Sequence, residues 1–360
     1  MKTSTRKILT RWRNGDPFLP PLRVRSLALE PATSPRRCDA CLELELPGEA
    51  GTFRFLVEAK ANGTPLQVQA AIYSITECVA AANASASGEW LPLIVVPYLN
   101  PERLAELEQK KVSGVDLCGN GVVVVPGRVS IVRSGQPNLY PDSRPLAKPF
   151  AGKSALVGRM LLAKPGWENL TALVAGINQA GGEISLPQAS KTVQALVEDM
   201  LVVRTGTGLK LQEPLRLLDQ LGKAFVRPTY RNRRLLRLSP GTDWVKALSA
   251  VPALRWEVTG ESSVRKYAVL GESGPWRVAV DDLDKAAEAI GGTVEPVPAF
   301  ADIELVETDD AAVFFQSAAD EKGLRWASRV QCWLELQSGD ARQQQAANDV
   351  RDQILKDAGR

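Results

Sequence analysis

The sequence predicts a multi-domain α/β protein, and three observations lead there. Residues 1–135 alternate short apolar–polar segments with helically patterned ones. Residues 150–214 pattern as three helices closed by a hairpin with glycine at its tip. Residues 240–360 mix short apolar runs with helical stretches once more. At about 150 residues per domain, 360 residues make two to three domains. Hydrophobic residues at 44% and charged residues at 24% are enough to bury a core and too few charges to keep the chain disordered.

Element by element, residues 3–13 (TSTRKILTRWR) suit a short basic helix ended by Asn14-Gly15. Residues 22–30, 38–46 and 52–59 alternate or run apolar between turn residues, which predicts a three-stranded meander. Residues 65–83 open with Pro65 and suit a helix whose apolar side carries Leu66, Ala70, Tyr73, Ile75 and Val79. Residues 90–98 (WLPLIVVPY) read as a fully buried strand. Asn100 caps a helix over 101–111, and residues 115–125 and 128–133 close the region as a hairpin. The proline-rich stretch 134–149 reads as a linker. Helices follow over 152–163, 169–178 and 187–200, then a hairpin over 202–212, which is the winged-helix outline. Residues 215–239 read as a basic linker helix. In 240–360, residues 256–258, 267–270 and 276–280 suggest strands and 282–290 a helix. Further elements fall near 311–313 and 330–336, with a closing helix over 342–356.

Composition excludes several chemistries. The chain has no histidine, so Ser-His-Asp and Cys-His catalysis and every His-containing metal site are ruled out. Five scattered cysteines and no apolar segment after the basic start fit reduced thiols in a cytoplasmic protein. Cys38 and Cys41 form a lone CxxC, read as two half-buried residues at a strand start. No apolar run reaches the ~18 residues of a membrane span. Charge is sorted by region. Residues 1–37 hold nine Lys or Arg against Asp16 and Glu30. Residues 221–237 hold six basic residues and no acid, and residues 281–321 hold twelve acids against Lys285. This predicts a polyanion-binding front and an acidic face for a basic partner.

Asp39 opens the second strand, and Glu58 and Lys60 flank Ala59 at the end of the third. Residues two apart on a strand share a face. Pairing of the strands would set Asp39 beside Glu58, and Mg²⁺ relieves the repulsion between two such carboxylates. Lys60 would then hold the attacking water and balance phosphate charge. The bland alternative is an exposed ion-pair ladder. Farther on, Asp116, Gly119 and Asn120 interrupt the apolar residues 115–125. They read either as a tight turn or as a polar loop and capping network near the metal edge. No organic cofactor is expected.

In a winged helix the third helix enters the major groove of double-stranded DNA. Its early residues here are Gln188, Ser190, Lys191, Thr192 and Gln194, while Val193, Leu196, Val197 and Leu201 face inward. Arg204, Thr205, Thr207 and Lys210 of the wing, and Arg227, Arg231, Arg233 and Arg234 of the basic run, would add phosphate contacts.

The N-terminal topology with Asp39, Glu58 and Lys60 resembles the restriction-endonuclease-like PD-(D/E)xK superfamily. Gln69 and Tyr73 resemble the Q-x3-Y of its RecB-type members, which implies a part in placing nucleic acid and the catalytic lysine. No Pro precedes Asp39, and no helix-one Glu stands upstream. The combined string VEAK, LPLIVVPYLNPERLAELEQKKVSGVDLCGNG, LKLQEPLRLLDQLGKAFVRP and WLELQSGDARQQQAANDV resembles AbiEi-like regulators of type IV toxin–antitoxin systems over roughly residues 36–355. That resemblance implies a promoter-binding repressor whose C-terminal domain antagonises a nucleotidyltransferase-like toxin encoded nearby. The family order usually begins with the winged helix; a nuclease-like domain ahead of it leaves an enzymatic role open. The expected function is therefore a DNA-binding regulator and antitoxin. The alternatives are a Mg²⁺-dependent DNA endonuclease in antiviral defence and, third, a protein-interaction scaffold.

Overall fold

The computed structural model describes residues 9, 10, 12, 18–30, 38–85, 89–140, 148–269 and 274–359. Of the predicted helix over 3–13, residues 9, 10 and 12 are described and are helical; its other residues and part of the predicted linker lie outside the described residues. The chain divides into two compact units, Met1–Ala147 and Lys148–Arg360. Both mix helices with sheets, as the multi-domain α/β prediction requires.

The first unit is built on a seven-stranded sheet whose spatial order follows the chain. Strands β1 (Arg23–Leu29), β2 (Ala40–Glu45) and β3 (Phe53–Ala59) form the antiparallel meander. Helix α1 (Pro65–Ser85) then crosses to β4 (Trp90–Val96), which runs parallel to β3. Helix α2 (Pro101–Gln109), capped by the Asn100 side chain on the Arg103 N–H, crosses to β5 (Ser113–Asp116), parallel to β4. Strands β6 (Gly121–Val125) and β7 (Val129–Arg133) complete it antiparallel. The predicted strand over 115–125 is thus two strands broken at the polar turn.

Period-two alternation gives this sheet two dry faces. Ala40, Leu42, Leu44, Phe55 and Val57 are fully buried on one side. Leu56, Ile94 and Val96 lie on the other, under Val68, Ala71, Ile72, Ile75 and Cys78 of α1. This corrects the predicted apolar side of α1: Leu66, Ala70 and Tyr73 face solvent, and of the predicted residues only Ile75 is fully buried, on a face it shares with Val68, Ala71, Ile72 and Cys78.

The second unit begins with α3 (Gly152–Ala163), the two-residue strand β8 (Gly166–Trp167), α4 (Leu170–Gln179) and α5 (Leu186–Glu198). The hairpin β9 (Val202–Thr205) and β10 (Gly208–Leu211) follows, with β8 added to its edge in the order β8-β10-β9. Three helices and a three-stranded wing make a complete winged helix. Strand β8 was too short to show periodicity.

Helix α6 (Pro214–Ala224) ends at Phe225, and β11 (Arg233–Arg237) is a strand. The predicted basic linker helix over 215–239 is therefore corrected. Only its first half is helical, and Arg233–Arg237 of its arginine-rich half is a strand within a sheet, with a neighbour on each side. That sheet contains β12 (Trp256–Val258), β13 (Trp276–Val280), β14 (Thr293–Val294), β15 (Ile303–Glu307), β16 (Ala318–Ala319) and β17 (Arg325–Trp326), in the order β14-β11-β15-β13-β12-β17-β16. Helices α7 (Trp244–Ser249), α8 (Val264–Tyr267), α9 (Leu283–Ile290), α10 (Arg329–Leu336) and α11 (Ala341–Ala358) complete the unit. Residues 264–267 are helical where a strand over 267–270 was expected, and α10 occupies 330–336. Trp326, Trp333 and Phe314 are buried, as core residues should be.

One apolar cluster joins Leu161, Leu217 and Leu221 of α3 and α6 to Trp333, Leu336, Val350 and Ile354 of α10 and α11. The winged helix and the C-terminal helices share a core, so the boundaries expected at residues 214 and 240 do not separate independent cores.

Candidate functional site

The meander brings the first predicted trio together. The Asp39 N–H donates to the Val57 carbonyl at 2.9 Å, so the chain enters β2 against the end of β3. Asp39 Oδ2 accepts the Ala59 N–H at 2.8 Å, which holds its carboxylate between Glu58 and Lys60. Lys60 Nζ lies 2.5 Å from Glu58 Oε1, and the Lys60 N–H is fixed by the Val95 carbonyl of β4. Glu58 is buried on the α1 side of the sheet, opposite Ile94. Burial pushes its carboxyl above the ordinary value. The Lys60 ammonium pulls it back, and the Asp39 charge adds to the upward push.

This is not the exposed ion-pair ladder weighed above, because one member is buried and the two carboxylates feel each other. Among the described residues, Asp39 Oδ1 and Glu58 Oε2 have no hydrogen-bond partner. Two hard oxygens of like charge beside one lysine fit a divalent cation that takes one or two carboxylates and keeps several waters. No group of three or more acidic or thiol ligands is assembled among the described residues, so a closed all-protein cage is not available.

The other residues of this unit fall elsewhere. Gln69 of α1 is held by α2: its amide donates to Glu106 Oε1, and Lys110 Nζ donates to its oxygen at 3.0 Å. Glu106 is pushed up by burial, but Lys110 and Arg103 pull it below the ordinary value overall. Gln69 is therefore engaged in a helix–helix tie and not with Lys60. Tyr73, one turn on, is 73% exposed. Cys38 is buried and Cys41 half-buried at the start of β2. A hydrogen bond with Cys38, and then burial, raises the Cys41 thiol, which makes it a poor nucleophile.

The polar interruption in 115–125 is a capping network. Asp116 Oδ1 accepts the N–H groups of Cys118 at 2.8 Å and Asn120 at 2.7 Å. Its Oδ2 accepts the Leu99 N–H at 2.9 Å and the Asn120 side-chain amide at 2.7 Å. The positive φ of Gly119 lets the turn close inside this network.

In the second unit α5 presents a mixed face. Lys191 is exposed, and Ser190 is half-exposed beside it. Gln194 donates to Glu198 Oε1 at 3.0 Å, and Gln188 turns back toward Ser154 of α3 at 3.5 Å. Thr192 is a correction: it is 0% exposed and its hydroxyl donates to the Gln188 carbonyl at 2.9 Å, so it cannot touch DNA. Helical spacing places it beside Val193 on the inward side. Val193, Leu196 and Leu201 are buried as expected, with Val197 packed against them. On the wing, Arg204, Thr205 and Lys210 are exposed, and the Thr207 hydroxyl donates to the Glu168 carbonyl at 3.3 Å.

The basic run is largely engaged in surface ion pairs and backbone contacts, which corrects the predicted charge fronts. Arg231 pairs with Asp309, Arg233 with Glu304 at 3.6 Å and Arg234 with Asp284 at 2.8 Å. Arg227 donates to the Glu335 carbonyl at 3.0 Å and to Ser338 at 3.2 Å. For Arg231 and Arg233 the cause is register: the chain runs antiparallel to β15 there, which brings them alongside Asp309 and Glu304, while Arg234 reaches Asp284 of α9. Each of these four arginines thus has a partner within the chain, and Arg231, Arg233 and Arg234 offset three carboxylates of the acidic segment.

No family model matches this chain, and no curated protein matches it. No helix among the described residues is long and apolar enough to cross a membrane.

Proposed function

We propose that this protein is a cytoplasmic DNA-binding transcriptional regulator that serves as the antitoxin of a type IV, AbiEi-like toxin–antitoxin pair. The observation that carries the reading is the winged helix, complete in topology, with Lys191 on α5 and Arg204 and Lys210 on the wing all exposed. Ser190 and the outer edge of Gln194 complete the face offered to the major groove. The surface is smaller than the sequence suggested, because the arginines of β11 are paired. The test is fluorescence anisotropy on duplex DNA from the protein's own upstream region, over a salt series. Binding should weaken steeply with salt, and Lys191→Ala, Arg204→Ala and Lys210→Ala should each reduce the salt slope by ~1. Unchanged slopes in all three variants would refute it. The antitoxin arm is tested by co-expression with a neighbouring nucleotidyltransferase-like toxin, whose growth arrest should be relieved.

A second reading has its own observation. The convergence of Asp39, Glu58 and Lys60 at one sheet rim favours a Mg²⁺-dependent DNA endonuclease delivered by the winged helix, in defence against foreign DNA. Asp39 and Glu58 would hold the ion, which when bound supplies Lewis-acid polarisation of the phosphodiester. The Ala59 N–H fixes Asp39, and Lys60 keeps a positive charge against Glu58 and beside the phosphate. Supercoiled plasmid with Mg²⁺ should then be nicked by the intact protein and not by Lys60→Ala. Equal cleavage by both proteins, or none by either, refutes this reading and leaves the regulator untouched.

A further inference from the structure

Within the second unit a cavity of about 790 Å³ opens between α3, the end of α6, the 309–313 loop and α10. Its size is that of a pocket for a drug-sized molecule. Phe150, Leu156, Phe225, Val313 and Leu334 give it an apolar lining with two rings.

The charged residues in its wall are mostly satisfied. Lys153 pairs with Glu183 at 3.0 Å, Arg255 with Asp281 at 2.9 Å, and Asp309 with Arg231. Asp310 Oδ1 accepts the Ala312 N–H at 2.9 Å, and Arg227 is turned onto α10. Arg159 differs. It is buried, forms part of the wall, and makes no ion pair among the described residues. Two of its nitrogens are used, on the Ala312 carbonyl at 2.8 Å and on Ser328 at 3.3 Å, and the Phe315 ring lies 5.2 Å away. Its Nε is buried with no hydrogen-bond partner. Burial draws the guanidinium down to about 10, so it stays charged at neutral pH. Glu257, Asp310 and Glu335 all act on it through space, and burial raises the Glu257 carboxyl well above its ordinary value.

We propose that this cavity is a binding site for a small aromatic organic acid, whose rings fill the apolar lining and whose single anionic group seats on Arg159. The carboxylates of Glu257, Asp310 and Glu335 act on this guanidinium only from beyond ion-pair distance, so its Nε is a buried donor with no acceptor, and an anionic group in the cavity would supply one. The site goes beyond the regulator reading and stands whether or not the chain binds DNA. The test uses the full chain and two fluorescent probes, 8-anilino-1-naphthalenesulfonate and its neutral counterpart N-phenyl-1-naphthylamine, with calorimetry for stoichiometry. One sulfonate should bind per chain, at least tenfold tighter than the neutral probe. Arg159→Met should erase that preference. Ala224→Trp, which fills the cavity from the α6 wall and keeps the Arg159 side chain, should weaken both probes at least tenfold and decides the matter if Arg159→Met fails to fold. Equal affinity for the two probes, no binding, or affinities unchanged by Ala224→Trp overturn the proposal.

Discussion

At the scale of single residues, Glu58 and Thr192 show how position along an element decides what a side chain can do. Glu58 is ionisable, buried, and next to both Asp39 and Lys60. Its folded pKa lies above its unfolded one, so its contribution to stability is fully present at low pH and is lost as pH rises through the folded value. Glu58→Gln carries no charge to desolvate. The variant's thermal midpoint should therefore exceed the wild type's at pH 7, and the two should converge below pH 4. Melting curves for both proteins across that range check this, and a variant that melts lower at pH 7 contradicts it. Thr192 makes the opposite point. Its residue type suits a base contact, but it is buried beside Val193. Thr192→Arg should cost more than ~2 kcal/mol of stability by burying a charge, while Thr192→Val should leave DNA affinity unchanged. Asp39, Glu58 and Lys60 were legible because strand alternation fixes which neighbours share a face. The inward turn of Thr192 was missed because a one-residue step on a helix turns a side chain by about 100°, and Thr192 shares the inward face with Ala189 and Leu196 at spacings of three and four.

At the scale of elements, the sequence is legible where periodicity and chain-local signals agree. The meander β1–β3, the buried β4 and the capped α2 each lie within a few residues of their predicted bounds. Asn100 and Ser185 accept the N–H groups expected of helix caps. Strand β11 was not legible. RRLLR has neither β-branched residues nor alternation, and it becomes a strand because β15 and β14 pair with it on both sides. Tertiary pairing overrides weak local preference there. The same pairing draws Arg231, Arg233 and Arg234 onto carboxylates that a reader of the sequence assigns to a separate acidic face. Those pairs are exposed, so each contributes at most ~1 kcal/mol. Arg234→Ala should lower stability by no more than that and leave DNA affinity and its salt slope unchanged. A drop in affinity comparable to that of Lys191→Ala would restore the basic run to the DNA surface.

At the scale of the whole molecule, the decisive feature is where the cores begin and end. Charge blocks and the winged-helix outline suggested that residues 150–214 fold alone. The apolar contacts say otherwise, because α3 is covered on one side by α4 and α5 and on another by α6 and α11, with α10 in the same apolar cluster. Gly222 marks how close that approach is: a Cβ there would stand 2.7 Å from the Trp333 ring and 2.5 Å from the Gln337 amide oxygen. Trp333 is itself buried against α6, and removing it by Trp333→Ala should cost ~3–5 kcal/mol. Such a loss would fall on the winged helix as well as on α10, since the two share one cluster. The expected outcome for fragments follows. Residues 148–360 should give a dispersed amide spectrum and a single cooperative melt. Residues 150–214 alone leave Leu161, Met160 and Leu156 without their C-terminal partners, and should show collapsed amide dispersion or a midpoint lower than the parent by tens of degrees. A dispersed spectrum and an unchanged midpoint for the short fragment would mean that the C-terminal helices merely rest on the winged helix. DNA binding would then be separable from everything that follows residue 214. If instead the short fragment is disordered, any ligand or partner that acts on α10 or on the cavity beside it acts directly on the scaffold that carries Lys191.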